Sequence, residues 1–163
     1  MTERSLTTEQ ILTMLAAGPA HIAALTADLT PAQLRAIPTN GGWSANDALA
    51  HLRSCADMWG DCIAVILAED TPTLRAINPR TWMEQTDYPE LEFRPSFHAF
   101  TTQRTNLLAV LQPLAPEDWS RAAIVKGAGK ALNRTVFFYA QWLATHERSH
   151  LKQIQRIVSA IQA

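Results

Sequence analysis

The chain has 163 residues, of which 47% are hydrophobic and 18% charged, and its formal net charge is −1. This length and composition fit one globular domain over residues 1–163. The 14 lysines and arginines form no basic stripe, so nothing favours nucleic-acid binding. No apolar run approaches the ~18 residues of a membrane span, and the first five residues lack the basic start of a secretory signal. We therefore expect a soluble, cytoplasmic protein.

The first predicted helix runs from about Thr7 to Leu29, because apolar residues recur there every three or four positions. Gly18 and Pro19 lie inside this stretch and should cause a kink or a break. A connector over residues 30–38 follows, with one short helical turn.

The second helix has the clearest start in the chain. Ser44 is a favourable N-cap, and Asp47 follows three residues later, as in a capping box. The apolar pattern continues to about Leu67 or Ala68. Two neighbouring apolar stripes along this segment indicate a largely buried helix.

The rest of the chain alternates long connections with helices. Residues 70–95 contain four prolines, which predicts a long irregular connection. A third helix is expected over 96–111, and residues 119–130 resemble an extended or hairpin-like loop. The fourth helix is expected to begin with Asn133 as its N-cap and to reach about Ile161. Because no convincing strand pattern is present, the expected fold is an all-α bundle of four main helices.

Two histidines, His146 and His150, replace apolar residues on the inward stripe of the fourth helix. Side chains four residues apart project from the same helix face, so both rings should meet at one point. Two core histidines with separate hydrogen bonds are the alternative. A shared divalent cation satisfies both rings at once, and we favour it.

The segment also spells H-E-x-x-H, the zinc motif of many metalloproteases. Residues 151–163 contain no histidine, cysteine or acidic residue to serve as the third ligand, which argues against a protease. His51, on the buried side of the second helix, is the better third ligand. Glu147 should be turned about 100° from the ligand face, as a surface or supporting group rather than a base. His98, expected on a helix surface, is the reserve ligand, and His21 is expected at the edge of the core.

Two motifs together carry a family resemblance. The segment WSANDALAHL at residues 43–52 resembles the second-helix signature of the DinB/YfiT-like superfamily, and HERSHLKQI at residues 146–154 resembles its last-helix signature. The resemblance implies an up-down-down-up four-helix bundle with a long connection between helices 2 and 3. It also implies a divalent metal, often nickel or zinc, held by His51, His146 and His150.

Characterised members of that superfamily include S-transferases and a maleylpyruvate isomerase that use the thiols mycothiol or bacillithiol. The resemblance thus implies a small-molecule substrate and a metal-dependent thiol S-transferase or isomerase. A metal-dependent hydrolase and a non-catalytic stress-response metal-binding protein are the alternatives. Four arginines are candidate clamps for the carboxylates of such thiols and substrates, and the sequence does not rank them: Arg53, Arg80, Arg94 and Arg134.

Several members of the superfamily are homodimers, and we expect the same here. Phe97, Phe100 and Leu107 on the third helix are extra apolar residues that would face outward and contribute to such an interface.

Overall fold

The computed structural model describes residues 5–162. Four long helices form the body, and three short helices, a 3-10 turn and three short strands lie between them. The argument against a secretory signal rested on the first five residues, and the first four of them lie outside the described part. Among residues 5–162, no helix is both long enough and apolar enough to cross a membrane.

Some helix ends lie where the sequence pattern predicted them, and others do not. They are α1 (Thr8–Thr26), α2 (Pro31–Arg35), α3 (Ala45–Ala68), α4 (Pro79–Glu84), α5 (Phe93–Leu111), α6 (Pro116–Trp119) and α7 (Val136–Gln162). The predicted capping box at α3 is present: Asp47 N–H donates to Ser44 Oγ at 3.0 Å, and Ser44 N–H donates to Asp47 Oδ2 at 3.1 Å. Helix α1 runs without interruption through Pro19, so the predicted break is wrong.

The four long helices pack so that each has two neighbours. Helix α7 contacts α1 and α3, and α5 also contacts α1 and α3. The prediction that α3 and α7 are neighbours is therefore confirmed. Two apolar clusters fill the bundle, one containing Leu143 and Ala144 of α7 and the other containing Ile154 and Ile157 of the same helix. His146 and His150 lie between these two clusters in the sequence of α7.

A small sheet, which the sequence analysis did not predict, covers one side of the bundle. Strand β1 (Thr73–Arg75) pairs in parallel with β2 (Ala122–Lys126), and β2 pairs antiparallel with β3 (Leu132–Thr135). Residues 119–130 were predicted to form an extended or hairpin-like loop, and they contain β2 and most of the turn that joins it to β3. Asn133 pairs with Ile124 in the hairpin, so it is a strand residue and not the N-cap of α7.

The long connection between α3 and α5 is ordered by contacts with α3. Asn46 Nδ2 donates to the carbonyls of Pro89 and Leu91, at 3.1 and 3.2 Å. The Tyr88 hydroxyl donates to Asp57 Oδ2 at 2.5 Å. These bonds hold the connection over the N-terminal half of α3, where His51 lies.

The outward apolar surface expected on α5 is not there. Phe100 is 0% exposed and Leu107 is 6% exposed, because both belong to the apolar clusters, and Phe97 packs partly buried beside them. The sequence pattern gave the wrong rotation of α5 about its axis. A homodimer stays a prediction, which light scattering in solution would test.

Candidate metal centre

The three histidines singled out by the sequence meet at the interface of α3 and α7. His51 extends from the second turn of α3, and His146 and His150 extend from successive turns near the middle of α7. His51 Nε2 lies 3.0 Å from His146 Nε2, and His150 Nε2 lies 3.1 Å from the same atom. His51 is buried and the other two rings are half-buried. The structure thus brings all three predicted side chains together.

Hydrogen bonding alone does not satisfy this arrangement. A neutral imidazole nitrogen carries either one proton or one lone pair, so His146 Nε2 can make a good hydrogen bond with only one of its two neighbours. Two nitrogens bound at about 2.1 Å to one ion, at angles of about 90–109°, lie about 3.0–3.4 Å apart. The two observed separations fall in that range. Each of these two pairs of nitrogens therefore fits two imidazole ligands of one divalent ion.

Gln153 sets the orientation of the His150 ring. His150 Nδ1–H donates to Gln153 Oε1 at 2.7 Å, on the same face of α7. Because a neutral imidazole has one proton, this bond leaves the lone pair on Nε2, which points toward His146. A hydrogen-bonded partner of this kind is the usual support of a metal-binding histidine.

The surroundings keep two of the rings neutral. The pKa of His146 is lowered to about 3, first by burial and then by the charges of His150 and His51. The pKa of His51 is lowered to about 4, again first by burial, then by His150 and by Arg80. Metal ligation requires the unprotonated ring, so both are in the ligand form at neutral pH.

Tryptophan rings enclose the three imidazoles on two sides. The Trp43 ring lies 5.2 Å from that of His51 and is stacked with that of His150 at 6.3 Å, centroid to centroid. Trp59 and His146 form an edge-to-face pair with their ring centroids 5.2 Å apart. These apolar walls flank the cluster, and an approach to it remains open on another side.

That approach is a cavity of about 450 Å³, which we call the histidine pocket. Its lining consists of Gly42, Trp43, His51, Arg80, His146, His150 and Gln153. Arg80, in the first turn of α4, is the one residue of this set that is always charged. No carboxylate appears among these lining residues, so the pocket suits an anionic ligand.

The sequence analysis did not consider Cys55 as a possible metal ligand. Its Sγ lies 3.8 Å from His51 Nε2, and one donor atom each of Cys55, His51 and His146 lies within 4.8 Å of the others. Burial raises the pKa of the Cys55 thiol to about 12. The signal was available, because Cys55 follows His51 by one helical turn. A divalent ion deprotonates a thiol that coordinates it, so Cys55 is an alternative to His150 as the third donor.

Glu147 lies where the helical geometry placed it, away from the ligand face, but it is not a surface group. It is 3% exposed, and its two carboxylate oxygens accept bonds from Arg104 Nη1 and Nη2 at 2.8 and 2.6 Å. Arg104, itself 1% exposed, also donates to the carbonyl of Leu15 at 2.9 Å. Glu147 therefore belongs to a buried ion pair that joins α7, α5 and α1.

The remaining histidines lie outside the cluster. His98, the reserve ligand, is exposed on α5. His21 is exposed on α1, rather than at the edge of the core. Neither ring contributes to the histidine pocket.

The four candidate arginines separate clearly in the structure. Arg80 lines the histidine pocket. Arg53 stacks on Tyr88 with 3.7 Å from its guanidinium carbon to the ring centroid, and Arg94 donates to the Thr26 carbonyl at 2.8 Å. Arg134 lines a second, neighbouring cavity.

The fold and the histidine cluster define the class to which the protein belongs. The family model described as the DinB superfamily matches residues 14–154, and the chain is a member of that superfamily. The match includes His51, His146 and His150.

A solved structure has the same fold. It is described as "YfiT from Bacillus subtilis is a probable metal-dependent hydrolase with an unusual four-helix bundle topology". The TM-score is 0.80 at 18% sequence identity, over 96% of this chain and 90% of that one. The predicted DinB/YfiT-like four-helix bundle is thereby confirmed. No curated protein sequence matches this chain.

Proposed function

We propose that this protein is a metal-dependent thiol S-transferase or isomerase that acts on small molecules, with zinc or nickel held by His51, His146 and His150. The observation that carries the proposal is that His51 Nε2 and His150 Nε2 lie 3.0 and 3.1 Å from His146 Nε2, beside an open pocket whose one permanent charge is Arg80.

A divalent ion held by three neutral imidazoles keeps its full charge and lowers the pKa of a thiol, or of a water molecule, that reaches it. The protein's own residues bind and orient the thiol. Trp43 and Trp59 limit the access of bulk water, which would compete with it. Arg80 would receive a carboxylate, because it lines the pocket and no acidic residue of the lining competes for its charge.

A metal-dependent hydrolase is the second candidate, since that is the activity named for the B. subtilis relative with the same fold. One observation speaks against it. A hydrolase gains from a carboxylate base beside the attacking water, whereas the lining of the histidine pocket contains none and Glu147 is bound to Arg104 on another face of α7. Thiol transfer needs no such base once the thiol is ionised. A third candidate is a non-catalytic stress-response protein that only holds metal. No feature of the described residues favours it over the other two.

The location we propose is the cytoplasm. Both cysteines of the chain are free thiols, and a thiol cofactor stays reduced in that compartment.

The test is spectroscopic and uses the protein loaded with Co²⁺. Mercaptoacetate should produce a sulfur-to-cobalt charge-transfer band, while glycolate, which has a hydroxyl in place of the thiol, should not. If both compounds leave the spectrum unchanged, or if both change it alike, the thiol proposal is wrong. A hydrolase or a metal-holding protein would then be the better reading.

The variant Arg80→Gln tests whether Arg80 binds the carboxylate of the thiol, independently of the binding of its sulfur to the metal. The variant should bind mercaptoacetate about three- to tenfold more weakly, because a charge-assisted contact is lost. Its affinity for 2-mercaptoethanol, which has no carboxylate, should be unchanged. An equal loss for both thiols would mean that Arg80 supports the pocket but does not bind the carboxylate.

A further inference from the structure

A second cavity lies beside the histidine pocket, between α3, α7 and the segment that leads from β1 to α4. Its volume is about 310 Å³, at the lower end of the range of about 300–1,000 Å³ that is usual for small-molecule sites. Apolar and aromatic side chains form most of its wall: Trp59, Cys62, Ile77, Phe138, Tyr139 and Trp142. We call it the aromatic cavity.

Three rings give this cavity a continuous aromatic side. Trp59 and Trp142 form an edge-to-face pair at 5.7 Å, and Trp142 is stacked with Phe138 at 6.2 Å, centroid to centroid. Trp142 is 46% exposed although it is large and apolar, and so is Ile77 on the opposite segment. Exposed apolar residues that line one concave surface are typical of a ligand site.

Two arginines provide the charge of the cavity. Arg75 at the end of β1 and Arg134 in β3 both line it, and no acidic residue does. Within residues 5–162, neither arginine has a carboxylate oxygen within 4.0 Å. The Arg134 guanidinium lies over the Phe138 ring at 4.2 Å, so its position is fixed by the aromatic wall.

The charge of Arg134 also reaches the inner end of the cavity. Burial raises the pKa of Tyr139 and its contact with Cys62 adds to the increase, while Arg134 acts in the opposite direction. An anion in the cavity would thus meet arginines without a carboxylate partner as well as aromatic rings.

We propose that the aromatic cavity binds a carboxylic acid with an aromatic or similarly flat apolar body, with the carboxylate at Arg134 and Arg75 and the body against Trp59, Phe138 and Trp142. Planar guanidinium groups bind carboxylates through paired hydrogen bonds, and apolar walls exclude the water that would weaken them. A neutral apolar compound would leave both cations unpaired, and a small polar anion would leave the rings exposed.

Trp59 connects this cavity to the metal centre. The same indole that contacts Trp142 in the aromatic cavity contacts His146 at 5.2 Å in the histidine pocket. A role of the bound acid as a substrate of the metal centre rests on the proposed function. The binding of the acid does not, because no metal ligand takes part in it.

The experiment measures binding to the intact protein by NMR, using the indole N–H signals of the tryptophans. The probe is 3-phenylpropionate, and its control is 3-phenylpropionamide, which has the same body without the charge. The acid should shift the signals of Trp59 and Trp142 and bind about five- to tenfold more tightly than the amide, as expected for charge-assisted bonds at a half-exposed site. Equal affinities, or shifts confined to other tryptophans, would overturn the proposal.

Variants identify the cations. Arg134→Gln should weaken the acid about five- to tenfold and leave the amide unchanged, whereas Arg156→Gln, the same charge change at an exposed position of α7, should affect neither. An identical acid affinity in Arg134→Gln and Arg156→Gln would refute the assignment of the carboxylate. If Arg134→Gln does not fold, Arg75→Gln takes its place, and the comparison of acid with amide needs no variant at all.

The variant His150→Ala distinguishes the proposed transferase function from the proposed binding of an acid in the aromatic cavity. This variant should bind 3-phenylpropionate as the unmodified protein does, although its metal site is incomplete. Acid binding without a thiol response of the cobalt protein would leave this inference standing and remove the transferase. A thiol response of the cobalt protein without acid binding would leave the transferase standing and refute this inference.

Discussion

Removal of the Glu147 carboxylate should destabilise the fold far more than it affects the metal centre. Arg104 and Glu147 are joined by two hydrogen bonds of 2.8 and 2.6 Å, with side-chain exposures of 1% and 5%. In Glu147→Ala the guanidinium keeps only the Leu15 carbonyl as a partner and remains buried. Breaking a buried ion pair in this way costs about 3–5 kcal/mol of unfolding free energy.

For a chain of this length, each kcal/mol of unfolding free energy lost lowers the melting temperature by about 2–4 °C. We therefore expect the melting temperature of Glu147→Ala to decrease by about 6–20 °C. Urea unfolding followed by circular dichroism measures the free energy directly. Glu84→Ala, an exposed glutamate in α4, is the control and should change stability by less than about 0.5 kcal/mol. The double variant Arg104→Met with Glu147→Leu should recover most of the loss, because no charge is then left buried without a partner.

The metal content completes the experiment. Folded Glu147→Ala, prepared at low temperature, should bind one divalent ion as the unmodified protein does, and His51→Ala should not. A loss of stability below about 1 kcal/mol in Glu147→Ala would refute the ion-pair argument. An empty metal site in Glu147→Ala, with a filled one in His51→Ala, would refute the assignment of the ligands.

Four further outcomes are expected. His150→Ala should lose stoichiometric metal by elemental analysis, whereas Cys55→Ala should keep it; loss in both would make the cysteine a ligand. Gln153→Leu should weaken metal binding about 10–100-fold in a chelator competition, because the ring of His150 loses its orienting bond. Gly18→Ala should cost about 1–3 kcal/mol in urea unfolding, because the added Cβ would overlap Glu147 Oε1. Removal of metal by EDTA should leave the helical circular dichroism unchanged, since the apolar core forms without it.

Local sequence signals predicted the elements on which the candidate site depends. Ser44 and Asp47 fixed the start of α3, and with it the position of His51 in the second turn. The four-residue spacing placed His146 and His150 on one face of α7. That these two faces meet follows from their apolar residues, which have to be buried against another helix. The three imidazoles could therefore be predicted from the sequence, before any contact was known.

The features that were missed depend on contacts between distant parts of the chain. Strand β1 has three residues and forms only because β2, about fifty positions later, pairs with it. Asn133 looks like a helix N-cap locally, but its pairing with Ile124 keeps it in the hairpin. The rotation of α5, which buries Phe100, is set by helices α1 and α3 on either side of it. No periodicity within a single segment contains this information.

The His146–His150 segment shows why the same five letters can support a metal centre without a protease. In H-E-x-x-H the two histidines share a helix face, and the glutamate is turned about 100° away from it. A glutamate can act as a base only if substrate and water reach it beside the metal. Here the Glu147 carboxylate is bound to Arg104 and lies against Gly18 of α1. It is therefore enclosed by protein, on the part of α7 that faces away from the histidine cluster. The histidine face and the glutamate face of α7 thus have separate partners, α3 for one and α1 with α5 for the other. The ion pair and the histidine cluster thus lie on different sides of one helix, which is why we expect the metal site to survive Glu147→Ala.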